Sequence, residues 1–319
     1  MNKEMIWAYL LRLGSGITEV DSFWDYGTDI RYDKFSTALD ELHTDEKIWK
    51  QITDSLPNHG INTLVIDVGE GMVYESHPEL AVKGSWSKDK LKNELDRLRG
   101  LGITPIPKLN FSKCHDHWLG DYRYMLNIPE YYQVCEDTIR EVVEVFGTPE
   151  LIHLGMDDEL TELQTTFKAQ IQRSDDLWWH DLYFMFDLCD KLGVRPWVNA
   201  DAYWRLKEEY LEKMPKSVMQ SNWYYDTWTY GKDKPNGVAA YTDLDNAGFD
   251  QIPTCSCVWY SSNVIATFEN LKPVLSQDRL KGYLTTPVIE TDSESYYTLM
   301  DEAYRFYNAK KRIYPEYCK

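Results

Sequence analysis

The sequence predicts a (β/α)8 barrel, an α/β fold of the TIM-barrel type, formed as a single domain by residues 1–319. Three observations predict it. Glycines placed to end amphipathic helices recur along the chain, at Gly60, Gly102, Gly147, Gly193 and Gly248. A short apolar run follows each of them at once, as expected for a strand that is buried on both faces of a parallel sheet. Three further apolar runs bring the number of strands to eight, and helical periodicity fills the gaps between them.

The eight predicted strands are short and apolar. They comprise residues 6–13, 64–66, 103–109, 151–154, 194–198, 218–223, 252–258 and 283–289. The helix before the fifth strand has Leu182, Phe186 and Cys189 on one face. In the last helix the same spacing predicts a shared face formed by Tyr297, Met300, Tyr304 and Tyr307. No glycine-rich phosphate loop follows any strand, which counts against an open nucleotide-binding sheet.

The composition excludes some classes of partner. The formal net charge is −18, with 52 acidic residues against 34 Lys and Arg, and a field of that sign repels nucleic acid and anionic membrane surfaces. No apolar stretch is long enough for a transmembrane helix. The N-terminus leads into a strand without a signal-peptide pattern, and the six cysteines show no zinc-type spacing. We therefore expect a cytoplasmic protein with free thiols and without nucleic acid or membrane partners. The oligomeric state stays open, a homodimer included.

Barrel enzymes build their sites from side chains that follow the C-terminal ends of the strands. At those places this sequence has polar, acidic and aromatic residues, namely Arg12, Asp67, Asn110, His115, Asn199, Asp201, Trp223, Asp226, Trp259 and Glu290. Such a mixture suits a sugar, because carboxylates and amides bind hydroxyls while flat aromatic rings pack against the sugar ring. Two long segments, 14–34 and 69–87, follow the first two strands, and we expect them to border the site.

The fourth predicted strand ends in three adjacent carboxylates, Asp157, Asp158 and Glu159. We expect their mutual repulsion to raise the pKa of at least one of them. An acid that stays protonated near neutral pH can donate its proton to a leaving glycosidic oxygen, and an ionised neighbour can orient the attacking group. The alternative is a solvated helix N-terminus, where acids cap free N–H groups. We take the three residues as the catalytic candidates.

The same strand resembles a known motif. His153, Gly155 and the acids that follow are similar to the His-x-Gly-Gly-Asp-Glu motif of glycoside hydrolase family 20, the β-N-acetylhexosaminidases. The sequence departs from that family at Met156, which stands in place of the second Gly, and at Lys108 and Asn110, which replace a Glu and an Asp. Looser resemblance covers most of the barrel, through residues 77–80, 84–87, 102–110, 196–201 and 221–223.

The acidic triplet leaves the alignment with the family open. Counted from His153, Asp157 and Asp158 take the places of the family's Asp and Glu. Matched on the Asp-Glu dipeptide, Asp158 and Glu159 take them instead. A third option is a pair formed by Asp157 and Glu159, an arrangement that other barrel hydrolases use at this strand.

The resemblance implies a retaining glycoside hydrolase that works without metal or cofactor on a glycan or glycoside bearing a 2-acetamido group. The acetamido oxygen of the sugar attacks the anomeric carbon, one acid protonates the leaving group, and the adjacent Asp orients the acetamido N–H. Under the same resemblance, Tyr225 or a nearby Tyr contacts the acetamido oxygen, and Arg12 or Asp67 holds hydroxyls far from the cleaved bond. The pocket residues further include His153, Trp197, Trp223 and Trp259.

Two other functions stay open. A metal-dependent sugar isomerase or lyase on the same fold would use His115, His117 and nearby carboxylates as ligands. A carbohydrate-binding barrel without catalysis is the second, because the acidic motif departs from the family pattern and the fold alone fixes no chemistry.

Overall fold

The computed structural model describes residues 5–15, 39–159, 164, 169–228 and 234–318. Most of the long segment expected after the first strand, residues 16–34, lies outside these described residues. Within them, eight parallel strands alternate with helices, so the predicted (β/α)8 barrel is confirmed. The strands are β1 (Ile6–Arg12), β2 (Thr63–Asp67), β3 (Thr104–Lys108), β4 (Leu151–His153), β5 (Arg195–Asn199), β6 (Met219–Ser221), β7 (Thr254–Cys255) and β8 (Gly282–Thr285).

The strands are hydrogen-bonded to one another in the order β6-β5-β4-β3-β2-β1-β8-β7, and all pairs are parallel. Two single bridges, Gln220 to Gln251 and Trp223 to Thr254, join the chain at β6 to the chain at β7. The sheet therefore closes on itself, and the C-terminal ends of all eight strands meet at one end of the barrel. Each predicted strand overlaps an observed one.

The helices surround the strands. They are α1 (Glu46–Ser55), α2 (Lys88–Gly100), α3 (Pro129–Val145), α4 (Asp175–Leu192), α5 (Lys207–Lys213), α6 (Asn236–Asn246), α7 (Asn263–Leu271) and α8 (Tyr296–Ile313). The five glycines that predicted helix ends all have positive φ, from 64° at Gly60 to 85° at Gly248. Glycine adopts this left-handed conformation without the clash of a Cβ, so it ends each helix and directs the chain into the next strand.

The face predicted for the last helix is not the buried one. In α8, Tyr297 and Tyr304 are 81% and 56% exposed, whereas Leu299, Ala303 and Phe306 are buried. Tyrosine tolerates this exposure because its hydroxyl hydrogen-bonds to water. The helical spacing of the tyrosines was therefore real, but the smaller apolar residues beside them pack against the barrel.

Two expectations from composition concern thiols and membranes. The six cysteines are free thiols, as the sequence predicts. Among the helices of the described residues, none combines the length and apolar character that crossing a bilayer requires.

The core has two layers. A large apolar cluster lies between the strands and the helices around them. A smaller cluster fills the barrel interior and comprises Ala8, Leu10, Val65, Ile106, Leu151, Trp197, Met219, Ile252 and Leu284. Leu10 and Leu284 of this inner cluster also line the cavity described below. The inner cluster therefore forms the floor on which polar residues at the strand ends are placed.

Because β8 and β1 are in close contact, the pairing of these two strands can be tested by a substitution. A Cβ added to Gly282 would lie 1.9 Å from the backbone oxygen of Ile6, its pairing partner in β1. We expect Gly282→Ala to lower the free energy of unfolding by about 3 kcal/mol, since backbone cannot move aside without parting the strands. Gly100→Ala, where a Cβ meets nothing within 4 Å, is the control and should change it by less than about 1 kcal/mol. Equal urea midpoints for the two variants would contradict the pairing.

Candidate active site

A cavity of about 570 Å³ opens at the C-terminal end of the barrel. Its walls come from the ends of β1, β3 and β4 through β8 and from the loops after them. The predicted site residues that line it are Arg12, His115, His153, Asp157, Asp158, Asn199, Trp223, Tyr225, Asp226 and Trp259. The sequence analysis left out several lining residues, namely Leu10, Lys108, Trp204, Tyr224, Thr254, Tyr260, Leu284, Thr286 and Val288.

Asp157 lies at the centre of the polar floor. Its Oδ1 accepts a hydrogen bond from Asn110 Nδ2 at 2.7 Å, and its Oδ2 lies 3.7 Å from His115 Nε2. Burial alone would raise the pKa of Asp157, but the charges of His115 and Lys108 and the hydrogen bonds from Asn110 and Asn199 hold it well below its usual value. Asp157 is therefore an ionised carboxylate at neutral pH.

Asp158 lies beside it and is more exposed, with 29% of its side chain accessible against 16% for Asp157. Its Oδ2 lies 3.5 Å from His115 Nε2, so one imidazole faces both carboxylates. Burial acts to lower the pKa of His115, but the two carboxylates outweigh it and raise the pKa above the usual value. The Asp158 backbone N–H donates to Asp201 Oδ2 at 3.0 Å, which fixes the residue from behind.

The backbone that carries the two acids is in the left-handed region. Gly155, Met156 and Asp158 have φ of 68°, 69° and 56°. A Cβ on Gly155 would lie 2.0 Å from Asn110 Oδ1, and that same oxygen accepts the Met156 N–H at 3.1 Å. The left-handed φ at Met156 is the physical reason that a Gly suits this position. Non-glycine residues held in such conformations cluster at functional sites.

Glu159 points away from the cavity. Its carboxylate forms a buried ion pair with Arg173, which also donates to Asp181 Oδ2 at 2.8 Å. It accepts the Lys113 N–H at 3.1 Å as well. Burial raises the pKa of Glu159, with Arg173 and Lys113 acting in the opposite direction. The geometry therefore brings Asp157 and Asp158 together in the cavity and gives Glu159 a place in the wall behind them.

Five further predicted site residues do not line the cavity but contact residues that do. Asp67 accepts from Lys108 Nζ at 2.8 Å, and Asn110 and Asp201 hold the acids as described. Trp197 lies in the barrel interior, where His153 packs on it with ring centroids 4.7 Å apart. Glu290 lies 3.7 Å from Arg12.

An aromatic wall lines the same cavity as the acids. Trp223 stacks on Tyr225 with centroids 5.0 Å apart, and Tyr225 stacks on Trp259 at 5.4 Å with an interplanar angle of 5°. Trp259 is 44% exposed at the mouth. The loop that carries it is held from below by Glu302, whose Oε2 accepts the Cys257 N–H at 2.8 Å. The wall offers flat apolar faces of the kind on which sugar rings pack.

Three residues of the cavity could serve as ligands for the metal-dependent isomerase or lyase that the sequence left open. The donor atoms of His115, Asp157 and Asp158 all lie within 4.8 Å of one another, a set that zinc or manganese accepts. His117, the other histidine that this alternative invoked, does not line the cavity. The carboxylates raise the pKa of His115, and an imidazole that faces two carboxylates accounts for the same contacts without a metal ion.

Comparison with known proteins gives similarity in structure alone. No protein-family model matches the sequence, and no curated protein sequence does either. The structure is similar to the glycoside hydrolase family 20 exo-β-N-acetylglucosaminidase from Vibrio harveyi, solved with N-acetylglucosamine, with a TM-score of 0.63 and 13% identity over 98% of this chain. It is likewise similar to the β-N-acetylhexosaminidase from Bacteroides fragilis, at 0.64 and 14% over 98% of this chain and 70% of that one. The family 20 enzyme from Streptomyces coelicolor follows at 0.60 and 9%, over 95% of this chain and 64% of that one.

This chain spans 57% of the length of the Vibrio harveyi enzyme. At these identities the similarity shows a shared barrel fold and leaves the residues and the reaction open. The resemblance to family 20 that the fourth strand predicted therefore extends to the whole fold.

The buried ion pairs of Arg173 are a structural support whose loss we expect to be costly. Arg173→Met leaves Glu159 and Asp181 buried without their cation, and should lower the free energy of unfolding by about 3–5 kcal/mol. Arg140→Met, which breaks an exposed pair with Glu136, should cost less than about 0.5 kcal/mol. Urea unfolding of both variants tests this, and a similar cost for the two would show that Glu159 is not anchored in this way.

The buried acids around the site predict the pH dependence of stability. Burial raises the pKa of Glu290 to about 8 and that of Glu302 to about 7, whereas a glutamate in the unfolded chain titrates near 4.5. At these two groups the folded chain therefore binds more protons than the unfolded one between about pH 5 and 8. The free energy of unfolding should fall as the pH rises, by at most about 1.4 kcal/mol per pH unit for each group.

The control for this pH dependence is Glu302→Gln, which keeps the volume and removes the titration. Its urea unfolding curves should show a shallower fall from pH 5 to 7 and an unchanged fall from pH 7 to 8, where Glu290 titrates. A fall from pH 5 to 7 that is as steep in Glu302→Gln as in the unaltered protein would contradict the raised pKa of Glu302.

Proposed function

We propose that the protein is a glycoside hydrolase that removes a 2-acetamido sugar with retention, with Asp158 as the general acid and Asp157 as the residue that orients the acetamido group. The observation that carries the proposal is the placement of these two carboxylates side by side in a cavity that an aromatic wall also lines. The family 20 barrels that this fold resembles support the choice of substrate class. Of the three assignments that the sequence left open, this geometry favours the first.

In the proposed first step the acetamido oxygen of the sugar attacks its own anomeric carbon as the bond to the leaving oxygen breaks. Asp158 transfers its proton to that oxygen, so the leaving group departs as a neutral alcohol. Asp157, ionised by its surroundings, accepts the acetamido N–H and stabilises the positive charge that develops on the cyclic intermediate. The protein itself supplies no nucleophile.

In the second step a water molecule attacks the anomeric carbon from the face that the leaving group vacated. Asp158, now a carboxylate, takes the proton from this water, which restores its acid form and returns the acetamido group. His115 faces both carboxylates, with its Nε2 3.7 Å from Asp157 Oδ2 and 3.5 Å from Asp158 Oδ2, and holds them in place. Asn110 and Asp201 keep the pair oriented through side-chain and backbone hydrogen bonds.

The remaining cavity residues have binding roles in this proposal. Trp223 or Trp259, the outer rings of the stack, packs against the sugar, and the hydroxyl of Tyr225, the ring between them, reaches the acetamido oxygen. Asn199 and Asp226 hydrogen-bond to hydroxyls. Arg12 contacts the side of the sugar that lies farthest from the cleaved bond.

The test is the hydrolysis of an aryl β-N-acetylglucosaminide and its galacto epimer, with plain aryl β-glucoside and β-galactoside as controls. We expect turnover of the acetamido substrates only. Asp157→Asn and Asp158→Asn should each lower kcat/KM by about 100-fold or more, as removal of a positioned acid or electrostatic partner does. Glu159→Gln should lower stability and leave kcat within about tenfold of the unaltered protein.

The leaving group separates the two aspartates. A dinitrophenyl leaving group needs no proton, so Asp158→Asn should lose much less activity with it than with a less acidic phenol, while Asp157→Asn should lose the same with both. An equal loss in the two variants would remove the assignment of Asp158 as the acid. Activity that disappears on dialysis against a chelator and returns with zinc or manganese would replace the proposal with the metal-dependent alternative.

A further inference from the structure

The side of the cavity formed by β1 and β3 carries two cationic side chains. Arg12 ends β1 and Lys108 ends β3, and both line the cavity although their side chains are only 6% and 9% exposed. The other lining residues of β1 and β8 on this side are mainly apolar, Leu10 and Leu284, with the hydroxyl of Thr286 beside them. The acids follow β4, three strands from β1, so they lie roughly 14 Å from Arg12 along the barrel wall at the usual strand spacing, whereas Lys108 ends β3, the strand next to β4.

Arg12 is not satisfied by the residues around it. Its Nε and Nη1 are buried and have no hydrogen-bond partner within the described part of the chain. The nearest carboxylate oxygen, Glu290 Oε1, lies 3.7 Å from Nη1, too far for a hydrogen bond. Burial raises the pKa of Glu290 to about 8, so its carboxyl is mostly neutral at pH 7 and does not cancel the charge of Arg12. Buried donors without partners are rare in folded proteins and indicate a ligand or an ion.

Lys108 adds a second donor on the same side. Its Nζ donates to Asp67 Oδ2 at 2.8 Å, which positions the ammonium group and neutralises one of the two cationic charges. The remaining N–H groups of Lys108 are available to a ligand, because an ammonium group has three donors. Lys108 is also one of the places where the sequence departs from the family 20 pattern, with a cation in place of a Glu. At this position the wall therefore carries a positive charge where the family 20 pattern has a negative one.

We propose that the sugar bound in this cavity carries an acidic substituent, a carboxylate or a sulfate ester, that lies between Arg12 and Lys108. The inference rests on the proposed function for the position of the cleaved bond, which places Arg12 at the far side of the ring and Lys108 on the strand next to the acids. Guanidinium and ammonium groups only donate hydrogen bonds. A hydroxyl both donates and accepts hydrogen bonds. An oxyanion only accepts them, and its negative charge also neutralises the positive charge of Arg12. Charge-assisted hydrogen bonds of this kind are about twice as strong as neutral ones.

The net charge of −18 makes the two cations more important for an anionic ligand. The chain as a whole repels an anion, but this repulsion is screened beyond about 8 Å at physiological salt. Short-range contacts with Arg12 and Lys108 act inside that distance. The preference for the acidic sugar should therefore persist at 0.15 M salt.

The first experiment compares 4-nitrophenyl N-acetyl-β-D-glucosaminide with its 6-O-sulfate on the unaltered protein. We expect kcat/KM to be at least about tenfold higher for the sulfate, since one charge-assisted contact contributes that much. Calorimetry with N-acetylglucosamine and its 6-sulfate, and with glucose and glucuronic acid, measures the same preference without turnover and separates sulfate from carboxylate. Equal affinity and equal kcat/KM for the neutral and acidic members of every pair would overturn the proposal.

Two variants test whether Lys108 and Arg12 cause the preference for the acidic sugar. The double variant Asp67→Asn with Lys108→Met removes a buried ion pair without leaving either charge alone, and should bring the sulfate and the neutral substrate to within about threefold of each other. Arg12→Gln should do the same from the other side and replaces the double variant if that one does not fold. The control is Lys83→Met, an exposed lysine paired with Glu41 outside the cavity, which should keep the full preference. Equal losses for both substrates in the double variant would also overturn the proposal.

The two proposals fail separately. If no glycoside is cleaved but the acidic sugars bind at least about tenfold more tightly than the neutral ones, the hydrolase is excluded and the anionic site stands. If the neutral acetamido glycoside is cleaved as fast as the sulfate and binds as tightly, the hydrolase stands and the anionic site is excluded.

Discussion

The candidate site depends on one close contact, the packing of the turn after β4 against Asn110. Asn110 Oδ1 accepts the Met156 N–H while its Nδ2 donates to Asp157, so one amide fixes both the backbone and the first acid. Gly155 has no Cβ and lets the backbone approach within that distance. Because of this contact, Gly155, Met156 and Asp158 adopt the left-handed backbone conformation. Their φ values set the direction in which each carboxylate points. Asn110, which the sequence suggested as a ligand of the substrate, is therefore a support of the acids.

The same turn explains why the sequence alone could not choose among the three acids. In a regular strand successive side chains alternate, so Asp157 and Glu159 would share one face and Asp158 the other. The left-handed residues at Met156 and Asp158 break that alternation. As a result Asp157 and Asp158 both face the cavity, while Glu159 turns to Arg173 on the far side. A motif gives residue types and spacing, but this choice depends on φ values that no periodicity records.

The barrel itself could be predicted because its signals are local and repeated. A glycine with positive φ and an apolar run follow each other at Gly60, Gly193 and the other junctions, and every one of these predictions is confirmed. Only the region of the site could be predicted, because the ends of the strands identify candidate residues but not the directions in which their side chains point. Trp197 was placed in the pocket by analogy but lies in the barrel interior under His153. The sequence identified Lys108 only as a departure from a motif, because its pairing with Asp67 on the neighbouring strand cannot be read from spacing.

Asp157 and Glu290, two acids at the strand ends, differ in protonation state because their neighbours differ, and this difference gives the two ends of the cavity different charges. Asp157 is surrounded by donors and a cation, which stabilise its ionised form. Glu290 is buried near other carboxylates and lies too far from Arg12 for a hydrogen bond, which favours its neutral form. One end of the cavity thus presents a fixed negative charge beside Asp158, and the other presents a cation that Glu290 does not neutralise. A ligand that matches both ends must place a polar N–H near Asp157 and acceptor atoms near Arg12, and an acidic 2-acetamido sugar has both.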